Sequence, residues 1–151
     1  MWRIILLSIP VFLMSAVGTI GQTPTPNARS ASPEAVAIPA NTIKWVQVRP
    51  GQETSALWGD RRVGPYGSFN RFAAGFEDRP HYHSRDLHSV VITGTFVVQN
   101  GSGPVQELGP GSYGFMPGGT VHTHSCKSGV PCVIFVQQDG PGDSVPVEAS
   151  R

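Results

Sequence analysis

Between Asn41 and Asp139, short runs of β-branched and aromatic residues alternate with segments rich in glycine and proline. No stretch shows the 3.6-residue periodicity of an amphipathic helix, and no internal repeat of a longer period is visible. Many short strands separated by turn residues are typical of a β-sandwich or β-barrel. The pattern predicts eight strands: Ile43–Val48, Ser68–Phe72, Leu87–Thr93, Thr95–Gln99, Val105–Leu108, Ser112–Met116, Val121–Ser125 and Val133–Gln138.

The composition supports an all-β fold. The chain has 18 glycines and 14 prolines in 151 residues, too many interruptions for a bundle of helices. Several of them form turn signals between the predicted strands, such as Asn100-Gly101, which suits a tight hairpin. Four aromatic residues, three of them in predicted strands, are expected to line an apolar interior: Trp58, Phe96, Phe115 and Phe135.

The first 21 residues have the pattern of an export signal. Arg3 precedes an apolar run from Ile4 to Val17, and small residues follow it. A membrane anchor is the alternative, but Pro10 interrupts the run and the run is short for a span. We therefore predict a cleaved signal peptide over residues 1–21 and a mature protein that is periplasmic or secreted, with no membrane partner.

The remaining chain divides by composition. Residues 22–40 are rich in proline, serine, threonine and alanine, which predicts a flexible linker. One domain is predicted over residues 41–145, followed by a tail over 146–151. Eleven Lys and Arg oppose ten Asp and Glu, and Arg3 leaves with the signal, so ten oppose ten in the mature chain. A neutral domain is not expected to bind nucleic acid.

Export changes the interpretation of the two cysteines, Cys126 and Cys132. An oxidising compartment allows a disulfide to persist, and the pair brackets a turn between two predicted strands. We expect a disulfide that joins the ends of this hairpin. A redox-active pair or a pair of metal-binding thiolates is the alternative, although the five-residue spacer is longer than that of common redox motifs.

The five histidines fall into two clusters, which is the strongest chemical signal in the chain. Residues two apart in a strand share a face, so His81 and His83 are expected to project together, as are His122 and His124. Converging neutral imidazoles can bind a divalent transition metal, and Fe, Zn, Mn, Ni and Cu are not distinguishable from these ligands. The alternative is a set of hydrogen-bonded histidines in polar loops.

The segment over residues 75–126 resembles the two motifs of the cupin superfamily. The first reads Gly75, five residues, His81-Tyr82-His83, four residues, His88, five residues, Gly94. The second reads Gly111, five residues, Pro117-Gly118-Gly119, two residues, His122, three residues, Cys126. The resemblance implies a single cupin-type jelly-roll β-barrel with one metal ion, bound by the first two histidines, the acidic position and the histidine of the second motif.

The chain departs from the cupin pattern at the acidic position. His88 stands where cupins usually have glutamate, one residue nearer the following glycine than in the commonest spacing. We expect His81, His83, His88 and His122 as metal ligands. The other possibility is that His88 points away and three histidines remain. An all-histidine set leaves the charge of the metal uncompensated and favours an anionic ligand.

These features predict an exported metal-binding cupin. Cupin oxygenases that bind iron through histidines alone are similar, so a metal-dependent dioxygenase acting on a small enolisable or carboxylated substrate is expected. The alternative is a cupin that binds or senses a metal or small ligand without catalysis. His124 is a candidate catalytic residue, and Glu77, Asp78 and Asp86 could orient imidazoles. The expected partner is a small molecule, and a homodimer is the assembly considered for the mature chain.

Overall fold

The structure, a computed structural model, describes residues 35–147. The expected signal peptide, residues 22–34 of the expected linker and residues 148–151 of the expected tail lie outside this range. Within the described residues, a 3-10 turn at Ala40–Thr42 is followed by eleven strands. All of them lie in Ile38–Arg151, one of the two units into which the chain divides. They are β1 Val46–Arg49, β2 Gln52–Gly59, β3 Tyr66–Phe72, β4 His81–Tyr82, β5 Leu87–Thr93, β6 Phe96–Asn100, β7 Val105–Leu108, β8 Tyr113–Met116, β9 His122–Cys126, β10 Cys132–Gln138 and β11 Val145–Pro146.

The strands form two antiparallel sheets. The first has six strands in the order β1-β2-β3-β10-β5-β8, and the second has five in the order β11-β4-β9-β6-β7. β10 lies between β3 and β5, so the C-terminal part of the chain completes the centre of the first sheet. The fold is all-β, as predicted, and consistent with a jelly roll. In residues 35–147 no helix is long and apolar enough to cross a membrane.

The hydrophobic core lies between the sheets. β10 shows why, because its residues alternate between buried and half-buried along the whole strand. Ile134 and Val136 point into the core from the first sheet, and Phe96 and Val98 meet them from the second. Burying apolar surface from both sheets stabilises the sandwich.

The structure corrects the expected interior at three positions, Phe115, Phe135 and Trp58. Phe115 is 48% exposed. Phe96 is buried, but Phe135 alternates with the buried residues of β10 and packs against Phe69 on the outer face, with ring centroids 6.1 Å apart. Trp58 is 46% exposed. It lies over Gly67, where an added Cβ would come within 2.1 Å of the indole nitrogen. A glycine in β3 is therefore required by the close approach of this ring.

Three strands were not expected from the sequence, namely β2, β4 and β11. β2 lacks the alternation of apolar and polar residues that identifies a half-buried strand. It pairs along its length with β3, and its first residues, 52–54, also pair with β1. β4 and β11 have two residues each. They pair with each other, and β4 also pairs with β9 at one position. Backbone pairing across the fold, which no local pattern reveals, forms these strands.

The cysteines form the expected disulfide. Cys126 ends β9 and Cys132 begins β10, and their Cα atoms are 5.7 Å apart. Both residues are buried. Gly94 approaches this bond closely, because an added Cβ would lie 2.9 Å from the sulfur of Cys132, and its φ of +77° also favours glycine.

Candidate metal centre

Three of the predicted ligands meet at one end of the second sheet. His81 in β4 lies directly opposite His122 in β9, and His83 follows β4 by one residue. The ring centroid of His81 is 4.2 Å from that of His122 and 5.2 Å from that of His83. Potential ligand atoms of the three side chains lie within 4.8 Å of one another. The two predicted clusters therefore converge.

Each of these histidines has one ring nitrogen bonded to a backbone carbonyl. The Nδ1 atom of His81 donates to the oxygen of Arg79 at 2.8 Å, and that of His122 donates to the oxygen of Thr120 at 3.0 Å. The Nδ1 atom of His83 donates to the oxygen of Asp143. A carbonyl oxygen can only accept, so Nδ1 carries the proton in all three rings and Nε2 keeps its lone pair. This is the tautomer that a metal bound through Nε2 requires.

Burial keeps the imidazoles of His83 and His122 neutral. It lowers the pKa of His122 to about 4 and also lowers the pKa of His83, because a buried imidazolium loses hydration. The hydrogen bonds to Thr120 and Asp143 oppose this shift, while the neighbouring His81 adds to it. Protons therefore compete weakly with a metal for the two lone pairs at neutral pH.

A buried carboxylate lies behind the group. The side chain of Asp78 is 5% exposed and accepts a hydrogen bond from Arg49. One of its oxygens is 3.4 Å from Nε2 of His124 and 3.8 Å from Nδ1 of His81. Burial would raise the pKa of this carboxyl, but the Arg49 hydrogen bond and the nearby imidazoles lower it overall. Asp78 is therefore a charged neighbour of the site, held by Arg49.

His124 lies among aromatic rings. Its ring centroid is 5.0 Å from that of Phe72, 6.0 Å from that of Phe76 and 5.2 Å from that of Phe96. Burial lowers its pKa. Its Nε2 atom has no hydrogen-bond partner among the described residues. Asp78, His81 and His124 form a second group of possible metal ligands, but the ion pair with Arg49 and the bond from His81 to Arg79 occupy two of its members.

His88 lies outside both groups. Leu87 and Ser89, its neighbours in β5, line the cavity described below, so alternation turns His88 to the opposite face. Its Nδ1 atom is 2.7 Å from the hydroxyl of Tyr113, and its ring stacks on Phe115 at 4.9 Å. The commonest cupin spacing places the acidic ligand one residue earlier, at Leu87. The one-residue offset noted in the sequence therefore brings an apolar side chain to that position.

The other acidic candidates have separate positions. Asp86 accepts a hydrogen bond from the backbone of Gly118 at 2.8 Å and so fixes the turn that precedes β9. Glu77 is exposed. Sequence reasoning did not find Arg49 or the carbonyl of Asp143, because both lie far from the histidine motifs in the chain.

The three histidines open onto a cavity of about 560 Å³ between the two sheets. Part of its wall is apolar and includes Phe96, Leu108 and Val136. Polar side chains also line it, among them Asn70 and Gln106. This volume and mixture are typical of a site for a small organic molecule.

Comparisons with known proteins agree with this fold. A family model described as the ChrR cupin-like domain matches residues 33–140, more than half of the chain. No curated protein matches the chain.

Solved structures share the fold at low identity. KdgF from Halomonas sp. is 22% identical, with a TM-score of 0.59 over 70% of this chain and 94% of that chain. The polyketide cyclase RemF from Streptomyces resistomycificus is 20% identical, with a TM-score of 0.66 over 78% of this chain and 89% of that chain. The DMSP lyase DddQ from Ruegeria pomeroyi DSS-3 is 18% identical, with a TM-score of 0.60 over 73% of this chain and 64% of that chain.

Proposed function

Because the chain belongs to the ChrR cupin-like domain family, we propose that it is an exported, metal-dependent enzyme. Its substrate is a small enolisable or carboxylated organic molecule bound in the cavity, and its reaction is oxygenation by O₂. His81, His83 and His122 hold one divalent transition metal ion. His88 does not take part in this version of the site.

The observation that supports this proposal is the shared tautomer of the three histidines. In each ring, Nδ1–H donates to a different backbone carbonyl oxygen. The three Nε2 lone pairs are therefore available beside one cavity. Three protein ligands next to a cavity are typical of catalytic metal sites, whereas structural sites are closed by a fourth protein ligand. A bound dication would act as a Lewis acid that holds an anionic oxygen of the substrate next to O₂.

The side chains of the cavity support this chemistry in other ways. The apolar wall excludes water from the substrate, which strengthens electrostatic interactions at the site. Asp78 and His124 lie beside His81: an oxygen of Asp78 is 3.8 Å from its Nδ1 atom, and the ring centroid of His124 is 5.4 Å from its own. His124 is the residue that we propose as catalytic, because its ring lines the cavity and has an unpartnered nitrogen among the described residues.

The proposed reaction class needs O₂ as its only co-substrate. When O₂ cleaves a carbon-carbon bond of an enolate, both oxygen atoms enter the two products, and no external reductant is required. Two of the structural neighbours carry the names cyclase and lyase, so enzymes of other classes use this fold. The reaction must therefore be tested directly.

The experiment begins with elemental analysis of protein purified from its native compartment. The metal-loaded protein is then tested for O₂ uptake and substrate loss against a panel of β-diketones and phenolic acids. We expect His83→Ala to abolish metal binding and O₂ uptake, and His88→Ala, the matched control, to keep both. Substrate loss without O₂ uptake would show a non-oxidative enzyme. Stoichiometric metal without loss of any substrate would favour the non-catalytic binding protein.

A further inference from the structure

Two arginines line the cavity, and their charges are used differently. Arg49 is engaged, because it donates to Asp78 and, at 2.6 Å, to the side-chain oxygen of Gln52. Arg61 makes no ion pair with any residue in the described range 35–147. A guanidinium in a cavity without a carboxylate partner is available to bind an anion from outside the protein.

The side chain of Arg61 is exposed and lies against an aromatic ring. Its guanidinium lies over the ring of Tyr66, 5.7 Å from the centroid. Tyr66 is buried, and its hydroxyl donates to the side-chain oxygen of Gln138 at 2.9 Å. The backbone oxygen of Arg61 accepts a hydrogen bond from the nitrogen of Gly142 at 2.7 Å. The backbone contact places Arg61 at the cavity, and the ring of Tyr66 offers its guanidinium a favourable cation–π contact there.

The same short segment also holds one of the proposed metal ligands. Gly142 is bonded to Arg61, and the next residue, Asp143, accepts the hydrogen bond from Nδ1 of His83. Arg61 and His83 are therefore attached to adjacent residues and line one cavity. A single ligand in that cavity can contact both.

The charges of the cavity favour a ligand with two negative groups. The charged residues that line it are Arg49, Arg61, Asp78 and Asp143, which sum to zero. An imidazole that binds a metal through Nε2 carries no charge of its own, so a bound dication would leave the cavity with two uncompensated positive charges. Electrostatic attraction is strong in such a partly enclosed site. A ligand with two negative charges would neutralise the two positive charges of the cavity.

We propose that Arg61 is the specificity-determining residue of the site and binds a carboxylate of the substrate. The substrate is then a small organic acid whose second anionic oxygen, from a carboxylate or an enolate, lies at the histidine end. The apolar wall of the cavity contacts the carbon atoms between the two groups. This inference rests on the proposed metal site and adds the substrate class to it.

The test uses the full mature chain loaded with Co²⁺, whose visible absorption reports on its ligands. Malonate, succinate and glutarate vary the distance between two carboxylates, and the corresponding diamides serve as neutral probes. Affinities are measured by absorption and by calorimetry. We expect at least one dicarboxylate to bind and its diamide to fail. Arg61→Ala is expected to weaken that binding about tenfold to a hundredfold, and Arg61→Lys to restore part of it.

Arg62→Ala is the matched control. The side chain of Arg62 is 83% exposed and pairs with Asp60 at 2.7 Å, so its loss is expected to leave the affinity for the dicarboxylate unchanged. Co²⁺ affinity is measured for every variant and is expected to be equal in wild type and Arg61→Ala. Equal dicarboxylate affinity in wild type and Arg61→Ala, or no binding of any of the three anions, would overturn the inference. Failure of wild type to bind Co²⁺ would instead overturn the proposed metal site.

Discussion

At the scale of single residues, the site depends on which imidazole nitrogen carries the proton. His81 in β4 and His122 in β9 each donate to the carbonyl two residues earlier in the chain, so the same local hydrogen bond occurs in both strands. His83 uses the carbonyl of Asp143, sixty residues away. The spacing of the histidines predicts that they share a face, but the sequence does not show where backbone carbonyls point. The tautomers could therefore be assigned only from the structure.

The lowered pKa values of the histidines predict how the stability of the metal-free protein depends on pH. Unfolded histidines have a pKa near 6.5, whereas that of folded His122 is about 4 and that of His83 is also lowered. Between these values the unfolded chain binds more protons, so the free energy of unfolding falls as the pH decreases from about 6.5 towards 4. Carboxylates with lowered pKa values, such as Asp78, reduce the free energy of unfolding only at pH values below this window.

Urea unfolding of the metal-free protein at pH 7.5, 6.0 and 5.0 measures this effect. His122→Gln, which removes one of the buried titrating groups, is expected to have a smaller loss of stability over the same range. A wild-type unfolding free energy that does not change between pH 7.5 and 5.0 would contradict the assignment of buried, neutral histidines.

At the scale of elements, the alternation of β5 decides which residue reaches the cavity. Leu87 and Ser89 line it, and His88 faces outward to Tyr113 and Phe115. A shift of one residue along a strand moves a side chain to the other face. The cupin resemblance pointed to the correct strand, β5. Because of the one-residue offset, however, it pointed to His88, whereas Leu87 is the residue that lines the cavity.

This geometry makes opposite predictions for two neighbouring substitutions. His88→Ala is expected to leave metal stoichiometry and affinity unchanged. Leu87→Glu is expected to raise metal affinity by about tenfold or more, because it adds a carboxylate on the cavity side of β5. Isothermal titration with Zn²⁺ measures both variants. Loss of metal by His88→Ala would instead support the four-histidine site.

The disulfide is a second feature at this scale. It closes a short loop between β9 and β10, and reduction is expected to lower the free energy of unfolding by about 2 kcal/mol. His122 lies at the other end of β9, where pairing with β4 and β6 holds it independently. Reduced protein is therefore expected to bind metal with nearly unchanged affinity. Thiol titration, thermal unfolding and metal titration of the same sample test this, and two free thiols in protein purified without reductant would contradict the disulfide.

At the scale of the whole molecule, alternation and turn residues were enough to predict the all-β fold and most strands of the core. They did not predict β2, whose polar sequence is fixed by pairing with β1 and β3, or the segment around Gly142 and Asp143. That segment brings Arg61 and His83 to the same cavity through backbone hydrogen bonds between distant residues. Such contacts leave no periodic pattern in the chain. The sequence therefore predicted the histidines of the site but not that Arg61 lines the same cavity.

The separation of the proposed ligands along the chain also links metal binding to folding. His81 and His83 precede His122 by some forty residues, and only the pairing of β4 with β9 brings them together. The unfolded chain therefore binds metal weakly, and a metal that binds the folded state stabilises it in proportion to the logarithm of its concentration. At a Zn²⁺ concentration one hundred times the Kd, we expect about 2.7 kcal/mol of added stability and a higher Tm. His83→Ala is expected to lose this increase, and His88→Ala, the control on the outer face of β5, to keep it. Thermal unfolding across a Zn²⁺ titration measures the effect, and an equal rise of Tm in wild type and His83→Ala would show that the metal binds elsewhere.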